Sequence, residues 1–338
     1  MNLLPPSPAR TTTTFYSYAE KLVRERSPRT AALLLGMRWS FGLPAHDLER
    51  LAEYSLPLNP TPLDRALAQR GGLRIERHEG DGEVSLHDHL ATGAPAIVAM
   101  NAYYFAFRPA YLRVHSSRTV RVSRQPGEER LRIHDSWGPA AEGTVTREEL
   151  DRARFSDVPL DVNREPLFAG NPVDGVWFTV EADPLSIDDA AAWSRERLAW
   201  LYDEMAVPRA DARGEYGIAA LRKFRRWLEN RLAEPPDTAA SLAARRGASL
   251  LLRPELSSRL YLGVFLRNAA HLLGDGELQA EVERYRAGLG HLQGVMDVMT
   301  KTVRTRRPEY DDFIRIHFAR ACENEERLLG ALARFAAD

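Results

Sequence analysis

A single cysteine, Cys322, stands in a chain of 338 residues. One thiol closes no internal disulfide, and four-cysteine zinc sites are excluded. No apolar run is long enough to cross a bilayer, so the sequence predicts no spanning helix. A surplus of positive charge is missing too. The 46 Lys and Arg stand against 47 Asp and Glu, a formal net charge of −1, which argues against wholesale binding to nucleic acid. No internal repeat of fixed period occurs, and Met1–Pro6 lacks the charged and apolar regions of a signal peptide. These absences lead to the expectation of a cytoplasmic protein with no membrane or nucleic-acid partner.

What is present is ordinary for a globular chain: 44% hydrophobic and 28% charged residues, enough length for one large domain or two ordinary ones. Residues 1–14 read as an extended arm. Phe15, Tyr18, Ala19, Leu22 and Val23 share one helical face, and Ser27-Pro28 ends that helix. Trp39–Pro44 reads as a loop, and Asp64–Gln69 as a helix stopped by Gly71-Gly72. Leu73–Arg77 alternates as a strand does. Ser85 caps a short helix over Leu86–Ala91, closed by Gly93.

Pro95–Met100 is a continuous apolar run, the pattern of a buried strand. Leu112–Ser123 alternates, Gln125–Glu128 is a turn, and Arg130–His134 returns, which predicts a hairpin. Thr146 and Glu149 form a capping box that opens a helix through Ala153, and Val176–Val180 is one more strand. From about Ser186 the pattern is helical throughout, with long helices over 278–302 and 310–336. The chain therefore divides into a mixed α/β part, residues 1–183, and an all-helical part, residues 184–338.

The residues that could carry chemistry are Thr14 or Ser17, His115, Arg118, His134 and Asp135. His115 and Asp135 lie on consecutive predicted strands joined by the turn at 126–127, which brings them near each other on a sheet. An imidazole beside a carboxylate is the arrangement of a general base and the group that orients it.

In order, Thr14-Phe15-Tyr16-Ser17, Gly93–Val98, His115–Val120 and Ile133–Ser136 resemble segments of one known family. So do Thr146–Arg154, Gly217–Leu221 and Arg259–Tyr261. It is the family of the butirosin biosynthesis H protein: C39-like, papain-fold acyltransferases with a helical C-terminal extension. The resemblance implies an α+β, papain-like domain followed by a helical domain. It implies amide formation from an acyl or peptidyl carrier-protein thioester and a small-molecule amine in the assembly of specialised metabolites, with no cofactor and no metal.

The family's nucleophilic Cys maps onto Thr14, or less well onto Ser17. Its His maps onto His115 or Arg118, and its Asp onto Asp135. With no cysteine at that place, three readings stand. The Thr14 hydroxyl replaces the thiol. Alternatively, no covalent intermediate forms, and His115, oriented by Asp135, accepts the amine's proton while alignment lowers the barrier. Or the site is inactive, and the domain binds or scaffolds other partners. Arg118 is placed to hold a substrate carboxylate or phosphate. Tyr103, Tyr104, Phe105 and Phe107 either line the substrate pocket or pack the core. The sequence leaves a homo-oligomer open.

Plainer readings accompany the other candidates. His134 should face away from Asp135 and be structural. His87-Asp88-His89, with His78, invites a metal, yet i and i+2 on a helix point to different faces. Arg222, Lys223, Arg225 and Arg226 flank an apolar helical stripe. With Arg304, Arg306 and Arg307 they form either a patch for an acidic carrier protein or a solvated face.

Overall fold

The structure is a computed structural model. It describes residues 39–45, 73–80, 85–125, 127–135, 141–156, 173–182, 190–212, 214–235, 238–305 and 309–336. Thr14, Ser17, the arm and the helices expected before Trp39 and over Asp64–Gln69 lie outside the described residues.

Six antiparallel strands form the main sheet: β2 (Leu73–His78), β3 (Ala96–Asn101), β4 (Ser117–Ser123), β5 (Leu131–Asp135), β6 (Ala141–Val145) and β7 (Trp177–Ala182). Their order is β2-β7-β3-β4-β5-β6. All six residues of β3 are buried, as a strand covered on both faces requires. Residues 112–114 are not strand and His115 makes only an isolated β-bridge, contrary to the alternation read there. Leu112 sits at φ 52°, and Arg113 and Val114 both donate backbone bonds to the Ala110 carbonyl, so residues 102–114 coil before β4 begins. The β4–β5 hairpin turns through Gly127 at φ 81°, a conformation a side chain would strain.

Two short helices cover one face. In α1 (Leu86–Ala91) the Ser85 hydroxyl accepts from His87 N at 3.2 Å. The capping box of α2 (Arg147–Arg154) is formed at both ends: Glu149 N donates to Thr146 Oγ1 at 3.2 Å, and Thr146 N to Glu149 Oε2 at 2.8 Å. Leu86, Leu90, Leu150 and Ala153 pack there against Val98, Met100, Val120, Val122, Ile133 and Trp177.

A second core holds the long helices: α3 (Ala190–Ala206), α4 (Ile218–Leu232), α5 (Ala239–Leu273), α6 (Gly276–Thr305) and α7 (Glu309–Ala336). This half is not all helical. It carries a three-stranded sheet of β1 (Gly42–Pro44), β9 (Gly214–Tyr216) and β8 (Arg209–Asp211). The segment read as a loop supplies its first strand, and Trp39, Phe41 and Leu43 pack into the helical core. The architecture is α+β.

Candidate functional site

Asn101 ends the buried strand β3 and organises the coil that follows. Fully buried, it accepts two backbone bonds on Oδ1, from Tyr103 N at 3.1 Å and Ser116 N at 3.2 Å. Its Nδ2 donates to His115 Nδ1 at 2.8 Å and to Ser156 Oγ at 3.1 Å. An amide nitrogen only donates, so His115 Nδ1 is the acceptor and the neutral ring carries its hydrogen on Nε2.

The His115 ring stacks on Tyr103 at 4.0 Å and 7°, with Tyr104 edge-on at 6.5 Å. Burial pushes its pKa below the ordinary imidazole value. At neutral pH its one lone pair is already engaged. That makes His115 a hydrogen-bond donor, whereas a general base needs a free lone pair.

Asp135 lies elsewhere. Arg121 pairs with His134 and Val122 with Ile133, and one further step of that register would set Val120 opposite Asp135. His115 lies five residues before Val120, beyond the start of β4. The buried Asp135 carboxylate instead meets Arg108, Oδ2 to Nε 3.3 Å, with both side chains almost wholly shielded from solvent. Among its described partners His115 has Asn101, Tyr103 and Tyr104. The expected orientation of His115 by Asp135 is therefore not what these residues do.

Of the two candidates for the imidazole position, Arg118 is the one on Asp135's sheet face. Met100 pairs with Arg118 and Val98 with Val120, and Val98, Met100 and Val120 all point into the core beneath α1 and α2. A guanidinium stays protonated in proteins and accepts no proton. Phe107, stacked on Phe105 at 5.4 Å, closes over Gly143 on β6, where a Cβ would meet the Phe107 ring at 2.1 Å. Thr14, Ser17 and Ser136 lie outside the described residues.

The remaining candidates find plain partners. His134 is half-exposed and bonds Glu142 across the β5–β6 pair at 2.7 Å. His87 bonds Asp151 of α2 at 2.8 Å, while His78 and His89 pack on Trp177 at 4.0 and 5.4 Å. No group of three or more His, Cys, Asp or Glu that could hold a metal occurs among the described residues. On α4, Arg222 pairs with Glu326 at 2.7 Å, Arg225 with Glu229 at 2.8 Å, and Lys223 with Glu215. Those pairs neutralise most of the basic face. The side chain of Arg304, with Arg306 and Arg307, lies outside the described residues.

Sequence reasoning missed Asn101, Arg108 and Ser156. The one signal for Asn101 was a polar residue closing an otherwise apolar strand before an aromatic run. It also missed a buried charge cluster in the helical half. Glu325 accepts from Trp39 Nε1 at 2.7 Å and Tyr285 Oη at 3.0 Å, and meets Arg259 at 3.3 Å. Arg259 in turn binds Glu255 and the Ser40 carbonyl. The adjoining cavity, lined by Phe41, Leu252, Phe318 and Cys322, leaves about 20 Å³ for a water's centre, room for one or two molecules. Burial and the nearby Glu325, Glu326 and Glu229 push the Cys322 thiol up to about 12, which leaves it inert as a nucleophile at neutral pH. No family model matches the chain, and no curated protein matches it either.

Proposed function

We propose that residues 1–183 form a papain-like, acyltransferase-type domain that has given up its chemistry. The protein then serves as a binding or scaffolding partner in carrier-protein-dependent assembly of specialised metabolites. One observation carries this reading: the face of Asp135 presents Arg118, which cannot accept a proton, and a second guanidinium, Arg108, lies against the Asp135 carboxylate. The imidazole that could have replaced it, His115, spends its lone pair on Asn101. This half holds no cysteine for a thioester intermediate, and among the described residues the imidazole that could accept a proton, His115, is engaged with Asn101 rather than with Asp135.

In this reading Arg118 meets a carboxylate or phosphate of the partner, as a fixed cation rather than a reactive group. Tyr103 and Tyr104, half-buried around His115, supply the apolar wall.

Intact-mass spectrometry of an acyl-loaded carrier protein mixed with candidate amines and the full chain tests this directly. The expected outcome is carrier retained by the protein, no amide product, and the same result with His115→Ala. Turnover lost in His115→Ala, or an acyl adduct on Thr14, would return the protein to the amide-forming acyltransferases.

A further inference from the structure

Helices α6 and α7 meet at a pair of imidazoles. His291 and His317 bring their Nδ1 atoms to 2.9 Å, with ring centres 4.9 Å apart, and Phe313 stacks on His317 at 4.0 Å. Both histidines are half-buried. At that separation one hydrogen fits between the nitrogens: one Nδ1–H donates and the other Nδ1 accepts. A first added proton goes to the outer nitrogen of the donor ring, and the shared bond survives with charge assistance. A second must go to the accepting Nδ1, which sets two N–H groups head to head. The contact then has to break.

We propose that His291 and His317 form an acid-responsive latch between α6 and α7, closed at neutral pH and released when the second proton enters. The surroundings favour release. Burial lowers the His291 pKa, and the His317 and Arg320 charges that face it from α7 lower it further. The charged contact between α5 and α6 nearest in sequence, Arg267 with Glu283 at 3.1 Å, lies two turns away along α6. Among the described residues no carboxylate acts on His291 to offset a second positive charge.

The seam that opens is the one that holds the buried cluster. Gly294 admits the Phe313 ring, Asn324 Nδ2 donates to the Tyr285 carbonyl at 2.9 Å, and Tyr285 reaches Glu325. Release of α7 therefore exposes the polar centre of the helical core to water.

The sign follows from linkage. The folded pair resists its second proton while the unfolded chain takes both near pH 6.5, so stability is present above that value and lost as pH falls through it. Urea unfolding of the full chain and of His317→Asn, which keeps a hydrogen-bonding group without the charge, reads the effect. Between about pH 8 and pH 5 the folded-to-unfolded ratio of the wild type should drop roughly tenfold more than that of the variant for each pKa unit of displacement. Hydrogen exchange should speed first along α7. Equal pH slopes in the two proteins, or two independent single-step imidazole titrations by NMR in the wild type, would overturn the latch. The NMR titration decides the matter even if the variant fails to fold.

Discussion

Asn101 holds His115 in one tautomer: the amide that accepts from the Tyr103 and Ser116 backbone has only N–H left to offer the imidazole. The two backbone donors fix which way the amide points. Asn101→Asp would keep those two acceptor bonds but turn a carboxylate oxygen toward Nδ1. The ring must then protonate Nδ1, so the His115 pKa should move from below the ordinary imidazole value to above it. An NMR titration of the ring carbons reads the change. Asn101→Ala leaves two buried N–H groups without acceptors and should cost about 3 kcal/mol in urea unfolding.

Arg108 and Asp135 form a pair shielded from water on both sides. Removing one partner takes a charge from the immediate side of the other in the sheet's core. Asp135→Ala should lose about 3–5 kcal/mol of stability, by denaturant midpoint. The double change Arg108→Met with Asp135→Leu should regain most of it, because an apolar pair of similar volume carries no desolvation cost. A retained deficit in the double variant would show that the pair holds more than itself.

Features set by neighbours in sequence were legible before any coordinates. Ser85 and the Thr146–Glu149 box announced α1 and α2, and the apolar run announced β3. What decides the site is register, and no residue announces register. Which of His115 and Arg118 shares the sheet face of Asp135 depends on the β4–β5 register, and so on where the hairpin turn closes. Leu112 misled for a local reason, since its left-handed backbone breaks a run whose alternation looked like strand. The Trp39–Glu325 bond joins residues 286 apart, far beyond the reach of any periodic pattern.

Gly143 is required by its neighbour rather than by its backbone. A methyl group there would sit inside the Phe107 ring, so Gly143→Ala must push the 105–108 segment off β6. The expected loss is about 1–3 kcal/mol, the cost of overpacking. Adding Phe107→Ala should relieve the clash and leave only the cavity left by the lost ring. Denaturant midpoints of the three variants separate the two costs.

Cys322 offers a reporter of opening. With its pKa pushed up to about 12, roughly one thiol in 10⁵ is ionised at neutral pH, and the side chain is buried. A chromogenic thiol reagent should therefore label the native protein at a rate set by opening of the helical core, and label it fast in urea. Rapid labelling under native conditions would mean that the cavity beside Cys322 admits reagents.

Glu325 draws residues from before the main sheet into the helical core, through Trp39, and from α5 and α6, through Arg259 and Tyr285. Glu325 and Glu255 hold the Arg259 guanidinium protonated well above its ordinary range, and burial with Glu325 drives the Tyr285 phenol upward as well. Glu325→Gln preserves shape but turns an N–H₂ group toward donors, so at least one of Trp39, Tyr285 and Arg259 loses its acceptor. It also leaves Arg259 with one carboxylate instead of two. The expected cost is about 3–5 kcal/mol, read as an earlier loss of helical circular dichroism in urea. The six-stranded sheet has a separate core beneath α1 and α2, so a probe placed there should unfold at an unchanged midpoint. If both probes shift together, the two cores unfold as one unit, and the Trp39 anchor couples them.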